Sequence, residues 1–375
     1  MDISKRDSAL DITRIVALFS VISVHFFLNN GFYQEPMLGG RMCLMTIMRT
    51  GFMVCVPLFL MLTGYLMNKK TLSAKYYKGI TKTLGIYLLS SAACLIYKVI
   101  VFHHKITLDN TLWGILGFKT ANYSWYIEMY IGLFLLIPFL NLIWNNLPSK
   151  KAKLALIVTF VVLTSLPTMT NIYNFEVKGW WKTPYLSTDY RQILPDWWTR
   201  IYPLTYYFLG AFLREFPLKL RQWQKIAIYF ACVLLFGLFN YYRSWGGYFA
   251  WVVYNDWHGL PNVIMTFFLF SFLSSINTEG YPVWLKRVLM VASDCCLGGY
   301  LVSYIFDNLF YAELNSRVKE MVCRLGWYPL IVPAVFVCSL LLSFVLNMIY
   351  KGIAFGGRFI VSKARKSKEE QLLNK

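Results

Sequence analysis

Two side chains in the first apolar stretch have the types and the spacing to act on opposite ends of one long molecule. Arg14 closes the segment Leu10-Asp11-Ile12-Thr13-Arg14, and His25 follows eleven residues later. Eleven residues make close to three helical turns, so both side chains point to one face, separated by ~16 Å along the axis. A guanidinium recognises phosphate through paired donors, and an imidazole exchanges a proton near neutral pH. Asp11, three residues before Arg14, is spaced to orient or neutralise that guanidinium. The pairing suits a phosphorylated donor whose reactive end lies far from its phosphates, a reach that the pantetheine arm of coenzyme A provides. The plainer alternative is a snorkelling arginine and a histidine in an interhelical hydrogen bond.

A second group lies in Asn122-Tyr123-Ser124-Trp125-Tyr126-Ile127-Glu128-Met129-Tyr130. Glu128 has no basic residue at helical spacing in its own stretch, so its partner must come from another helix. His25 is expected at a similar depth, and a carboxylate beside it would fix the tautomer that a general base requires. Ser124, Trp125 and Tyr130 are the candidates to contact substrate. Asp294 and Asp307, in a later apolar stretch, are further acidic candidates at membrane depth. Thr63 and Gly64 read as helix packing, and His103, His104 and His258 as surface residues. The cysteines show no C-x-x-C pair or ligand spacing, which points to neither a disulfide framework nor a bound metal.

These residues need helices that cross a bilayer. Of 375 residues 57% are hydrophobic and 15% charged, with mean hydropathy +0.49, whereas about a quarter of a soluble domain is charged. A soluble enzyme is excluded. Stretches long enough to span occur near 9–28, 50–67, 80–101, 123–144, 154–170, 200–214, 225–242, 260–277, 288–310 and 328–350. The expected fold is an all-α polytopic membrane bundle of about ten helices, one domain over 1–355 followed by a basic tail over 356–375 that lies near anionic lipid. The net charge of +19 would suggest nucleic acid in a soluble chain, but here it sets topology. Alternate connecting segments hold 23 and 12 Lys and Arg residues, which puts both termini in the cytoplasm. Two opposite-side segments, 171–199 and 243–259, carry Trp180, Trp181, Tyr185, Tyr190, Trp197, Trp198, Trp245, Tyr248, Trp251, Tyr254 and Trp257. Such rings either sit at the headgroup level or stack on a sugar.

Taken together, these motifs resemble the acyltransferase 3 family of integral membrane acyltransferases. Leu-Asp-x-x-Arg followed by His25 is similar to that family's first helix. Val56-Pro57-Leu58-Phe59-Leu60-Met61-Leu62-Thr63-Gly64-Tyr65-Leu66 looks like its F-x-x-S-G-Y segment, and Ser124-x-x-x-Glu128 with Pro138 looks like its S-x-x-x-E segment. Leu297-Gly298-Gly299-Tyr300-Leu301-Val302-Ser303 looks like a late segment of the family. The family often has paired arginines and a proline after the second span, whereas this stretch offers only the lysines Lys78 and Lys82, with Gly79 and Ile86 where Arg and Pro are common, and Ser303 stands where many members have a histidine. The resemblance implies transfer of an acetyl or related group from cytoplasmic acetyl-CoA or another acyl-CoA to a hydroxyl of an extracytoplasmic surface glycan or lipid-linked sugar. On this reading Arg14, Lys78 and Lys82 hold the donor, while His25, supported by Glu128, deprotonates the acceptor. The expected location is the cell membrane, multi-pass, with no nucleic-acid partner. The rival class is a transporter or exporter of glycans or lipid-linked sugars, which also places polar residues inside a bundle.

Overall fold

The computed structural model describes residues 6–103, 105–174, 176 and 191–373, with side chains described as far as residue 356 apart from Val253. Lys5, His104, Trp180, Trp181, Tyr185 and Tyr190 lie outside the described residues. The described chain is all helix and turn, apart from one isolated β-bridge between Met37 and Trp245. In chain order the helices are α1 (Ser8–Asn29), α2 (Gly39–Phe52), α3 (Cys55–Met67), α4 (Ala74–Tyr77), α5 (Thr81–Phe102), α6 (Leu108–Leu116), α7 (Trp125–Asn146), α8 (Lys150–Thr164), α9 (Pro167–Thr170), α10 (Tyr202–Glu215), α11 (Gln222–Ser244), α12 (Leu260–Leu273), α13 (Val283–Arg317) and α14 (Tyr328–Leu373).

α1 is the central element, packed against α13, α3 and α14. Asp7 caps it by accepting from the Ala9 amide, and its apolar run continues for 22 residues. Three of its buried hydroxyls are satisfied within the helix: Thr13 donates to the Ala9 carbonyl, Ser20 to Val16 and Ser23 to Phe19. Polar groups can therefore lie at membrane depth without an external partner.

The second spanning segment starts earlier than the sequence suggests. It runs from Gly39 to Met67 as two helices separated at Met53 and Val54. Pro57 explains the break, because it has no amide hydrogen to give to the Met53 carbonyl and its ring crowds that oxygen. Beyond the break α3 crosses α10 at two glycines. A Cβ on Gly64 would strike the Tyr207 carbonyl oxygen, and one on Gly210 would strike that of Met61. Asn141 of α7 joins the crossing, donating to the Met67 and Lys70 carbonyls at 2.7 Å each and accepting from the Tyr207 hydroxyl at 2.6 Å.

Among the described residues, seven segments are long and apolar enough to cross a membrane. The stretches expected at 154–170, 200–214 and 260–277 contain the shorter helices α8, α10 and α12, of 15, 14 and 14 residues. At 1.5 Å per residue these are ~21–23 Å long, against a hydrocarbon core of ~30 Å. α13, with 35 residues, is ~50 Å long and extends beyond that thickness. α14 carries the chain as helix through the basic tail to Leu373.

Candidate functional site

A cavity of about 690 Å3 lies at the end of the bundle where α1 begins, bounded by α1, α3, α5, α7, α10 and α13. Its outer part is ionic. Asp11, 1% exposed, is gripped by Arg6, whose Nε lies 2.8 Å from Oδ2 and Nη2 2.7 Å from Oδ1. Arg14 Nη1 donates to the same Oδ1 at 3.1 Å and to Ser293 Oγ at 3.2 Å. Arg6 also reaches Asp294 at 3.0 Å, tying the start of α1 to α13. Lys82 of α5 and Arg214 of α10 line the same space, Arg214 lying 4.8 Å over the Tyr65 ring. Neither has a carboxylate within ion-pair distance among the described residues. Lys78 is exposed and lies outside the cavity lining.

The inner part is aromatic. Tyr126 and Tyr130 of α7 stack with ring centres 6.1 Å apart, and Tyr300 of α13 meets Tyr126 edge-on at 6.0 Å. Val21 brings α1 into this end of the cavity. One turn further along α1 comes His25, behind the tyrosines and outside the cavity lining. Its Nδ1 lies 3.0 Å from Asp307 Oδ2, an approach too bent for a formed hydrogen bond. Both groups are nearly buried, with side chains 10% and 1% exposed. Tyr123 donates from its hydroxyl to the same Oδ2 at 2.8 Å and lays its ring on the imidazole, centres 3.9 Å apart.

The acidic neighbour of His25 is thus Asp307, where the sequence pointed to Glu128. The Glu128 side chain is exposed and has no hydrogen-bond or ion-pair partner among the described residues. Tyr126 and Ile127 form the inward face of this part of α7, and the next residue is turned about 100° away. Ser124 is the buried residue that precedes α7, and its carbonyl accepts from the Glu128 amide. Its Oγ lies 2.6 Å from the Phe118 carbonyl and 2.5 Å from that of Ala121, so its single proton is committed to the main chain. Trp125 stacks on Trp257 at 4.5 Å, away from the cavity lining, whereas Tyr130 lines it.

Residue types alone did not single out Tyr123, Ser293, Arg6 or Arg214. The two arginines registered only as topological charge. His258 is more enclosed than a surface residue, resting on Tyr202 with Nδ1 3.7 Å from Asp256. Burial, aided by Arg200, pushes its imidazole pKa down against the opposing pull of Asp256. Trp245, Tyr248 and Trp251 are exposed, as is Trp197 at 90%.

A helical bundle with membrane-spanning segments, an arginine-lined cavity at one end and a buried imidazole beside a carboxylate further in defines an integral membrane protein. Residues 7–348 match the family model described as an acyltransferase domain, and the chain belongs to the acyltransferase 3 family. It is a membrane acyltransferase. Comparison with curated proteins and with solved structures finds no match.

Proposed function

We propose that the protein takes an acyl group, acetyl foremost, from cytoplasmic acyl-CoA and places it on a hydroxyl of a surface glycan or lipid-linked sugar at the outer face of the cell membrane. The observation that carries this reading is the arrangement along α1: Arg14 faces a cavity at one end, and His25 faces a buried carboxylate ~16 Å further along the axis. The cavity suits a long phosphorylated thioester in size and lining. Its volume of about 690 Å3 falls within the ~300–1,000 Å3 of small-molecule sites. Arginine and lysine stand at its outer part and tyrosine rings at its inner part.

Lys82 and Arg214 have the charge to hold phosphates, with Arg14 beside them. Lys78 lies outside the lining and is left out of this assignment. The donor supplies an activated thioester. His25 does the proton transfer: with Nδ1 beside the Asp307 carboxylate, Nε2 is the nitrogen left to take the proton of the acceptor hydroxyl and then hold it for the departing thiol. Asp307 keeps the imidazole in the tautomer that has its lone pair on Nε2.

The test is the acylation of cell-surface glycan, followed by NMR and mass spectrometry. Cells would have the chain deleted, restored, or restored as His25→Ala. We expect the acyl signal to vanish on deletion, to return with the wild type, and to stay absent with a normally inserted His25→Ala protein. Full restoration by His25→Ala would remove the base from the mechanism and favour transport of the glycan instead.

A further inference from the structure

We infer that Tyr123 is a positioning residue for proton transfer, acting on His25 through Asp307; this rests on the acyl-transfer reading above. Three observations converge on this side chain. Its hydroxyl donates to Asp307 Oδ2 at 2.8 Å, the same oxygen that lies 3.0 Å from His25 Nδ1. Its ring covers the imidazole with centres 3.9 Å apart. Its own carbonyl accepts a hydrogen bond from the Tyr300 hydroxyl, which fixes the loop that carries it to the wall of the cavity.

A carboxylate left to itself turns about its last bond in a broad, two-fold well. Asp307 has little else to stop it, because Oδ1 is buried without a hydrogen-bond partner among the described residues. The phenol therefore selects which oxygen faces the imidazole. Oδ2 retains a second lone pair while it takes the Tyr123 proton, and it lies 3.0 Å from Nδ1. The ring contact acts on the other partner by blocking rotation of the imidazole toward Tyr123. In one residue the hydroxyl sets the carboxylate and the ring sets the histidine. Glu128 cannot share the task, since it is exposed and has no contact with either group.

Tyr123→Phe separates the two functions, keeping the ring and removing the hydroxyl. The assay uses purified full-length protein in lipid nanodiscs, with acetyl-CoA as donor and the surface glycan fraction as acceptor, and measures thiol release. We expect kcat to fall roughly ten- to hundredfold, the effect of losing one hydrogen bond to a charged group, with KM for acetyl-CoA within about twofold. The acidic limb of the kcat–pH profile should also be displaced, in protein whose thermal midpoint matches the wild type. A Tyr123→Phe enzyme with wild-type kcat overturns the inference. So does a lower kcat with the limb unmoved, which signals only a smaller active fraction. Should Tyr123→Phe fail to accumulate, 3,5-difluorotyrosine at this position keeps shape and hydroxyl but acidifies the phenol. It must then displace the limb, and an unmoved limb refutes the role. If the wild type releases no thiol, or His25→Ala matches it, the acyl-transfer reading itself fails. An active wild type, an inactive His25→Ala and an unaltered Tyr123→Phe reject the positioning role alone.

Discussion

Asp11 illustrates how ionic groups are kept inside this bundle. One carboxylate, almost wholly enclosed, takes two hydrogen bonds from Arg6 and one from Arg14. A lone charge there would be costly, while a hydrogen-bonded cluster offsets much of the desolvation. His25 and Asp307 meet under similar enclosure, and their contact favours Asp307 over Glu128, the carboxylate that the sequence puts first. Replacing Asp307 by Asn keeps its shape and removes its charge. Acceptor acylation by Asp307→Asn should fall roughly 10²- to 10⁴-fold, the contribution of a general base held in its working form. Glu128→Gln, altering an exposed side chain, should stay within about twofold of wild type. Measured side by side, the reverse ranking would restore Glu128 as the histidine's partner. Periodicity locates Glu128, His25 and Asp307 in depth, each along its own helix. It carries no information on how one helix is turned toward another, which is why the depth rule finds the members of the site and misses the pair.

Among the elements, the α3–α10 crossing shows the same division between legible and hidden features. Gly64 reads from its motif as a point of close approach, but its partner Gly210, in a 14-residue helix, gives no comparable signal. Each glycine accepts the other helix's main chain at a place where a methyl group has no room, since the obstacle is a backbone carbonyl and not a movable side chain. Gly64→Ala and Gly210→Ala should each destabilise the protein by about 1–3 kcal/mol or more, the cost of overpacking a close-packed contact. Thermal unfolding in detergent micelles measures this, with Gly132→Ala of α7 as the control, because a Cβ there meets nothing within 4 Å. Midpoints several degrees lower for the first two and unchanged for the third are expected. A wild-type midpoint for Gly64→Ala would mean that the crossing is looser than described. The crossing also bears on the site, since α3 supplies Phe59 and α10 supplies Arg214 to the cavity. The break before α3 was written in the sequence as Pro57. The shortness of α8, α10 and α12 was not, because their apolar composition continues into turns.

For the whole molecule, charge and site geometry argue for the same orientation. The basic segments cluster at the end where Arg6, Arg14, Lys82 and Arg214 surround the cavity. The aromatic segment 243–259 lies at the other end, where Met37 pairs with Trp245 and the Met37 amide donates to the Gly247 carbonyl at 2.7 Å. In the orientation we propose, which follows the positive-inside rule, the cavity opens at the cytoplasmic face and His25 lies toward the outside. Orientation is also a chemical requirement of the proposed reaction, because a charged, hydrophilic donor cannot cross the hydrocarbon unaided. Lys69 and Lys105, both exposed, flank α5 at its opposite ends and report the two sides independently. In intact cells, a membrane-impermeant maleimide should label Lys105→Cys above the background of the native cysteines. Lys69→Cys should react only after permeabilisation. If the pattern is inverted, the cavity opens outward and cannot draw on the cytoplasmic donor, so the donor assignment falls even though the His25–Asp307 contact stands.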